Sequence, residues 1–190
     1  VLSLVVMTAM CPWISPYNPS AFVGPSIAPP NSQFPMGTNV LGEDMLSRVL
    51  CGGSIMLQVA ALSVLICFMI GVPIGLFSSY AGGTIGSTCS LVMDALYAFP
   101  GLVIAIAIAA MLGTGVINMS LSIAVVYIPT YFRIIRSQVL SIKELSYVEA
   151  ARAAGAKWHV VLSRYVFPNV IPSIVVVTTI NFADSILTAA

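Results

Sequence analysis

Charge is what this sequence has least of. Seven basic and six acidic side chains make up 7% of its 190 residues, and residues 1–42, 49–93 and 95–132 carry none at all. A soluble fold of this length could not cover such runs with its own surface. They exceed the roughly 20 apolar residues that cross ~30 Å of hydrocarbon. With 59% hydrophobic residues and a mean hydropathy of +1.04, the chain reads as an integral membrane protein.

Other absences exclude chemistry. The two lysines, Lys143 and Lys157, do not follow glycine, so no G-x-x-x-x-G-K-[ST] loop exists to hold ATP. H-E-x-x-H and G-x-S-x-G are missing, which removes membrane protease and hydrolase readings. His159 is the only histidine and has no second ligand near it in sequence, so no metal is expected. Cys11, Cys51, Cys67 and Cys89 form no C-x-x-C pair. All four are expected to be small apolar packing residues. No basic stripe with interleaved aromatics points to nucleic acid. The expectation is a non-enzyme without a cofactor.

Punctuation places the elements. Residues 1–14 look like the end of a first membrane helix, and both termini read as truncated. No basic n-region of a signal peptide precedes the first apolar run, and targeting is not legible from this end. Six of the twelve prolines fall between Ser15 and Pro35, which forbids regular helix and predicts an extended, ordered surface loop. In residues 37–50, Met45, Leu46, Val49 and Leu50 suit a short interfacial amphipathic helix. Four spans follow at 55–77, 91–112, 116–132 and 166–187. The first is interrupted by Pro73, a glycine-rich connector occupies 78–88, and a tight turn lies at 113–115. The domain reading is a partial first helix (1–14), an external loop with its interfacial helix (15–50), and a transmembrane domain (51–190) holding a cytoplasmic loop at 141–165.

The charge that exists is concentrated. Eight of the charged side chains, six of them basic, lie from Arg133 to Arg164, against one arginine, Arg48, before the first complete span. The positive-inside rule therefore places 133–164 in the cytoplasm, with 78–88 on the same side and 15–50 outside. Within the segment, Ser141/Glu144 and Ser146/Glu149 match the capping-box pattern. A helix of about two turns is predicted from Ser146 to Ala154, ended or bent by Gly155. A second helix is predicted from about Lys157 until Pro168 interrupts it. One face carries Tyr147, Ala150, Ala151, Ala154, Trp158, Val161 and Leu162. The other carries Glu149, Arg152, His159 and Ser163. Such a helix either seats in another protein's groove or lies on lipid headgroups.

Glu149-Ala150-Ala151, three residues, Gly155, nine residues, then Tyr165-Val166-Phe167-Pro168 resembles the EAA signature of ABC importer permease subunits. "GTNVLGEDMLSRVLCG" resembles the G-T-D-x-x-G-R-D-x-L-S-R-x-x-x-G element of the dipeptide, oligopeptide and nickel branch. Asn39 and Glu43 depart from it, the latter reversing the usual arginine's charge. "MDALYAFPGLVIAIA" and "YFRIIRSQVLSIKELSYVEAARAAGA" resemble two further elements, in family order, from about residue 34 to the end.

The resemblance implies an all-α transmembrane bundle of the MetI-like type with six membrane helices, about five present here and the sixth missing. It implies half of a translocation pathway, two ABC ATPase subunits docked on the EAA loop, a second homologous permease and an extracytoplasmic substrate-binding protein. It also implies a coupling role for Glu149, Ala150, Ala151 and Gly155, and makes Arg152, Tyr147 and Trp158 candidates beside them. Residue by residue, Glu149 either contacts the ATPase or completes the Ser146 cap. Arg152 and Lys157 are solvated loop charges by default. Asp94 and Asp184 are pathway candidates, because an intramembrane acid is rare. Asp94 also suits a helix N-terminus, and Asp184 a neighbouring helix. Peptide is the expected cargo, with nickel or another small solute as the alternative. A gradient-driven secondary transporter or an accessory membrane protein remain rivals that would not need the EAA spacing.

Overall fold

The computed structural model describes Thr8 and residues 10–189. Most of the predicted first helix, residues 1–14, therefore lies outside the described residues, apart from a helical turn at Cys11–Ile14. The described residues are helical or irregular, without a strand and with an isolated bridge between Thr38 and Asp44. They divide into two compact units, Val1–Gln58 and Val59–Ala190.

In the first unit, residues 15–44 contain no helix and are held by side chain to backbone bonds. Thr38 Oγ1 accepts from the Ala28 amide at 2.8 Å and donates to the Pro25 carbonyl. Gly37 and Gly42 turn at φ +72° and +70°, a region that side chains with a Cβ rarely adopt. Asp44 ends the loop as a helix cap. Its Oδ2 accepts from the Ser47 amide at 2.8 Å and from the Ser47 hydroxyl at 2.6 Å. The helix that starts here is not the short interfacial element expected at 37–50. It is the first two turns of α1, Met45–Ala81, which runs 37 residues through Pro73. Gly52 and Gly53 each cost a helix only about 1 kcal/mol, too little to end one this apolar.

The cysteines correct a second expectation. Cys11 and Cys51 form a disulfide with Cα atoms 5.2 Å apart, and only Cys67 and Cys89 are free. Pairing depends on spatial approach of the Cα atoms, which a separation of 40 residues does not reveal.

In the second unit, the boundaries move outward from those predicted. Only the pair Gly82–Gly83, at φ +65° and +54°, breaks the expected 78–88 connector. Helix α2 (Gly83–Tyr97) begins at once. The expected span 91–112 is split. Helix α2 and α3 (Gly101–Leu112) meet at an 86° bend over residues 98–100, where Pro100 removes an N–H and forces its predecessor out of helix. Helix α4 (Val116–Ile142) continues ten residues beyond Phe132, so Arg133 and Arg136 stand on a membrane helix rather than in a loop. Helix α5 is Ser146–Ala153. Helix α6, Trp158–Ala189, passes both Pro168 and Pro172. It does so with a π-helical stretch at Val161–Val166, which widens the turn just before Pro168 and so eases the proline ring's clash with the preceding turn.

Helices α1, α4 and α6, together with the bent α2–α3 pair, are apolar enough for three to four membrane crossings. Gly71 and Gly75 bring α1 onto α4: a Cβ at Gly71 would lie 2.7 Å from Tyr131 Cβ, and one at Gly75 would lie 3.0 Å from Ile135 Cβ. Small residues one turn apart allow close helix approach where no hydrophobic drive separates helix from lipid. The core is built on this contact, with Ile135, Val139, Val166 and Val170 fully buried.

Candidate functional site

The loop between α4 and α6 buries one residue of its helix and touches its neighbours at a few further side chains, and is otherwise exposed. Val148 is the only fully buried residue of α5, packed with Val161 and Val166 of α6. Tyr147 is tied at its tip. Asn169 Nδ2 donates to the Tyr147 hydroxyl at 3.1 Å and to the Tyr165 carbonyl at 2.7 Å, and the Tyr147 and Tyr165 rings lie 6.5 Å apart. The stripe read as one apolar face is thus divided. Val161 and Leu162 are buried, whereas Tyr147, Ala150, Ala154 and Trp158 are exposed and Ala151 is half-buried. Glu149 stands exposed in the first turn of α5, where the helix dipole favours an acid.

Gly155 ends α5 at φ +83°. Its amide donates to the Arg152 carbonyl at 2.9 Å, and the Ala156 amide reaches back to the Ala151 carbonyl at 3.1 Å. Those two bonds are the Schellman pair, which satisfies carbonyls the helix end would leave bare. The start of the helix differs from expectation. Leu145 is the N-cap residue and no side chain caps the end, so Ser146 and Glu149 form no capping box. Ser146 already sits inside the first turn, where its hydroxyl cannot reach the N–H groups ahead of it. Ser141, in the last turn of α4, donates to the Ser137 carbonyl instead.

Arg152 is not simply solvated. Its guanidinium lies 5.1 Å from the centre of the Tyr80 ring, a cation–π contact that joins α5 to the C-terminal end of α1. The Trp158 indole meets the Phe77 ring edge-on at 6.2 Å and His159 at 5.7 Å. Phe77, Trp158, Leu162 and Phe167 border an apolar cavity of ≈ 390 Å³. The loop, the end of α1 and the start of α6 therefore form one patch.

The two membrane acids have different surroundings. Arg133 Nη2 donates to Asp94 Oδ1 at 2.8 Å, so the Asp94 charge is matched. Asp184 has no ion pair among the described residues. It lines a cleft of ≈ 440 Å³ with Tyr97, Phe99, Tyr127, Thr130 and Asn181. The structure thus separates the candidates into a loop group (Tyr147, Glu149, Ala150, Ala151, Arg152, Gly155, Trp158) and a membrane group around Asp184, with Asp94 in the ion pair. Sequence reasoning missed Arg133 as the partner of Asp94, and missed the cleft residues. One signal was present. Thr178, Asn181, Ser185 and Thr188 recur at i, i+3, i+7 and i+10, a polar stripe on an otherwise apolar helix. Two of its members meet tyrosines of α4, with Tyr131 to Thr178 and Tyr127 to Thr188 both at 3.1 Å.

Residues 71–190 match the family described as binding-protein-dependent transport system inner membrane component. A glutathione transport system permease protein of Pectobacterium atrosepticum is 38% identical over 161 residues, covering 85% of this chain and 54% of its own length. A di/tripeptide transport system permease protein of Pseudomonas aeruginosa is 35% identical over 196 residues, covering 100% of this chain and 65% of its own. A glutathione transport system permease protein of Shigella dysenteriae is 35% identical over 197 residues, covering 100% and 63%. The chain thus spans between about half and two thirds of the length of these relatives.

Proposed function

Because the chain belongs to the binding-protein-dependent transport system inner membrane components, we propose that its parent protein is a permease subunit of an ATP-driven importer of small peptides. It forms half of the translocation pathway beside a second, homologous permease. Two ATPase subunits hydrolyse ATP outside this chain, and an extracytoplasmic binding protein delivers the cargo. Peptide is preferred to nickel because the similar permeases are named for glutathione and for di- and tripeptides.

One observation carries the coupling role. Helix α5 is anchored by the single buried Val148, while Glu149, Ala150, Ala154 and Trp158 stand open. Small side chains on an exposed helix let another backbone approach closely. An ATPase groove that grips this helix pushes on α6 through Val148 and through the Tyr147–Asn169 bond. It pushes on α1 through Arg152 and Tyr80. Those are the helices that build the core, so a displacement at the loop is transmitted to the membrane rather than absorbed.

The test is co-purification of the full-length parent from detergent with its ATPase subunit, for wild type and Gly155→Leu. Leucine at φ +83° is strained even though the space around it is open. The expected result is an ATPase that accompanies the wild type and is lost or reduced with the variant. No ATPase with either protein would return the loop to a headgroup-lying helix and favour a gradient-driven transporter.

A further inference from the structure

We propose that the cleft beneath the α2–α3 bend is a subsite for the amino terminus of a peptide, with Asp184 receiving the ammonium group and Asn181 the first peptide unit. The inference rests on the importer reading above and names the group that the pathway recognises. Three observations carry it.

The first is charge. Asp94 and Asp184 are the two acids on the membrane helices α1–α4 and α6. Arg133 neutralises Asp94, whereas no cation lies within ion-pair distance of Asp184 among the described residues. An unmatched carboxylate at membrane depth is costly and calls for a cation from elsewhere. The second is an orphan. Asn181, one helical turn before Asp184, is 2% exposed, and its Nδ2 lies near the Tyr131 hydroxyl without a hydrogen-bond partner of its own. Buried amides are nearly always satisfied. Turned about its last torsion into the cleft that Asn181 lines, this amide would find in a peptide carbonyl beside the ammonium group the acceptor it lacks. The third is backbone. Residues 98–100 leave helix where α2 and α3 meet at 86°, and irregular backbone at membrane depth is tolerated where it lines a cavity.

The lining fits this ligand and few others. Phe99 and Tyr127 line the cleft with aromatic rings on which a cation can rest, Thr130 adds a hydroxyl, and the Tyr97 ring is already taken by the Arg133 guanidinium. A volume of ≈ 440 Å³ lies within the ~300–1,000 Å³ range of small-molecule pockets. An inorganic anion would be repelled by an unpaired carboxylate, and a neutral ligand would leave its charge unmatched. An ammonium group could also come from a lysine side chain, but only a terminus carries a carbonyl on the ammonium-bearing carbon itself, within reach of Asn181.

The experiment uses the full-length parent assembled with its partner subunits in nanodiscs, without binding protein, so that selectivity belongs to the membrane part. Saturation-transfer NMR is read with trialanine, N-acetyl-trialanine and N-acetyl-lysine amide. Trialanine is expected to bind about tenfold more tightly than either blocked probe, the scale of one charge-assisted bond. Asp184→Asn should erase that preference and Asp184→Glu should keep most of it. Equal binding of trialanine and N-acetyl-trialanine to wild type overturns the proposal, as does a preference that survives Asp184→Asn. Equal binding together with weakened assembly of Asp184→Asn assigns the carboxylate to a cation of a neighbouring subunit and also overturns it. N-acetyl-lysine amide binding as well as trialanine overturns the amino-terminal assignment. ATP-driven uptake of trialanine with binding protein present tests the importer reading separately. Absence of uptake by wild type sinks that reading, whereas uptake without a binding preference sinks only the subsite.

Discussion

Arg133 holds Asp94 at 2.8 Å while its guanidinium lies 4.3 Å from the centre of the Tyr97 ring. One side chain of α4 thereby fixes two positions of α2, one turn before the bend. Both charged side chains are more than half exposed (55% and 61%), so the pair is weak in the way of solvated ion pairs. A double-mutant cycle with Asp94→Asn and Arg133→Gln should give a coupling of about 0.5–1 kcal/mol. Thermal unfolding of the detergent-purified protein reads it. Strict additivity of the two losses would show that the contact contributes nothing.

The approach of α1 to α4 makes a graded prediction. A methyl at Gly71 meets Tyr131 Cβ at 2.7 Å and the Ile128 carbonyl at 3.2 Å, one at Gly75 meets Ile135 at 3.0 Å, and one at Gly52 meets nothing within 4 Å. Gly71→Ala should cost about 1–3 kcal/mol by overpacking, and Gly75→Ala less. Gly52→Ala should be neutral or stabilising by up to about 1 kcal/mol. Melting temperatures in one detergent rank the three. A Gly71→Ala protein as stable as Gly52→Ala would contradict the packing described.

The Cys11–Cys51 disulfide ties the start of the irregular segment 15–44 to the second turn of α1. The positive-inside reading puts that segment outside, where thiols oxidise. Under denaturing conditions without reductant, a maleimide should label two cysteines, Cys67 and Cys89, and four after reduction. Replacing Cys11 by Ala should cost the loop about 3 kcal/mol and speed proteolytic nicking within 15–44. Four labelled cysteines before reduction would refute the pairing.

Much of this architecture was legible because apolar length and glycine punctuation are local signals. The expected spans 55–77, 116–132 and 166–187 each lie within a longer helix, and the Gly155 turn falls where the sequence places it, whereas 91–112 is split by the 86° bend. What was not legible depends on residues far apart in the chain. Arginines at 133 and 136 suggested a loop, yet a long side chain reaches the polar boundary from a helix that continues beneath it. Pro168 suggested an end, but a π-turn one step earlier lets α6 continue. The serine–glutamate pattern suggested a cap one residue away from where α5 starts. The cleft joins residues on α2, α3, α4 and α6. Only its polar stripe on α6 has a periodicity that could have been noticed.

The two departures from the external sequence pattern belong together. Asn39 Nδ2 donates to Glu43 Oε2 at 2.6 Å, the Glu43 amide donates to Asn39 Oδ1 at 2.9 Å, and Arg48 pairs with the same Glu43 carboxylate. In the pattern this stretch resembles, an aspartate and an arginine stand at these two positions, so the acceptor and donor roles of 39 and 43 are reversed in this chain. Glu43→Arg alone would set a guanidinium against Arg48 and leave the Asn39 amide without its acceptor. Asn39→Asp alone would bring two carboxylates together. Each should destabilise the loop by about 1–2 kcal/mol. Combined, they rebuild an opposite-charge contact between 39 and 43, and Arg48, with 45% of its side chain exposed, turns to water at little cost. The double variant should therefore recover most of the loss in thermal unfolding or in resistance of 15–44 to protease. If the two losses simply add, positions 39 and 43 vary independently and the exchange is a coincidence.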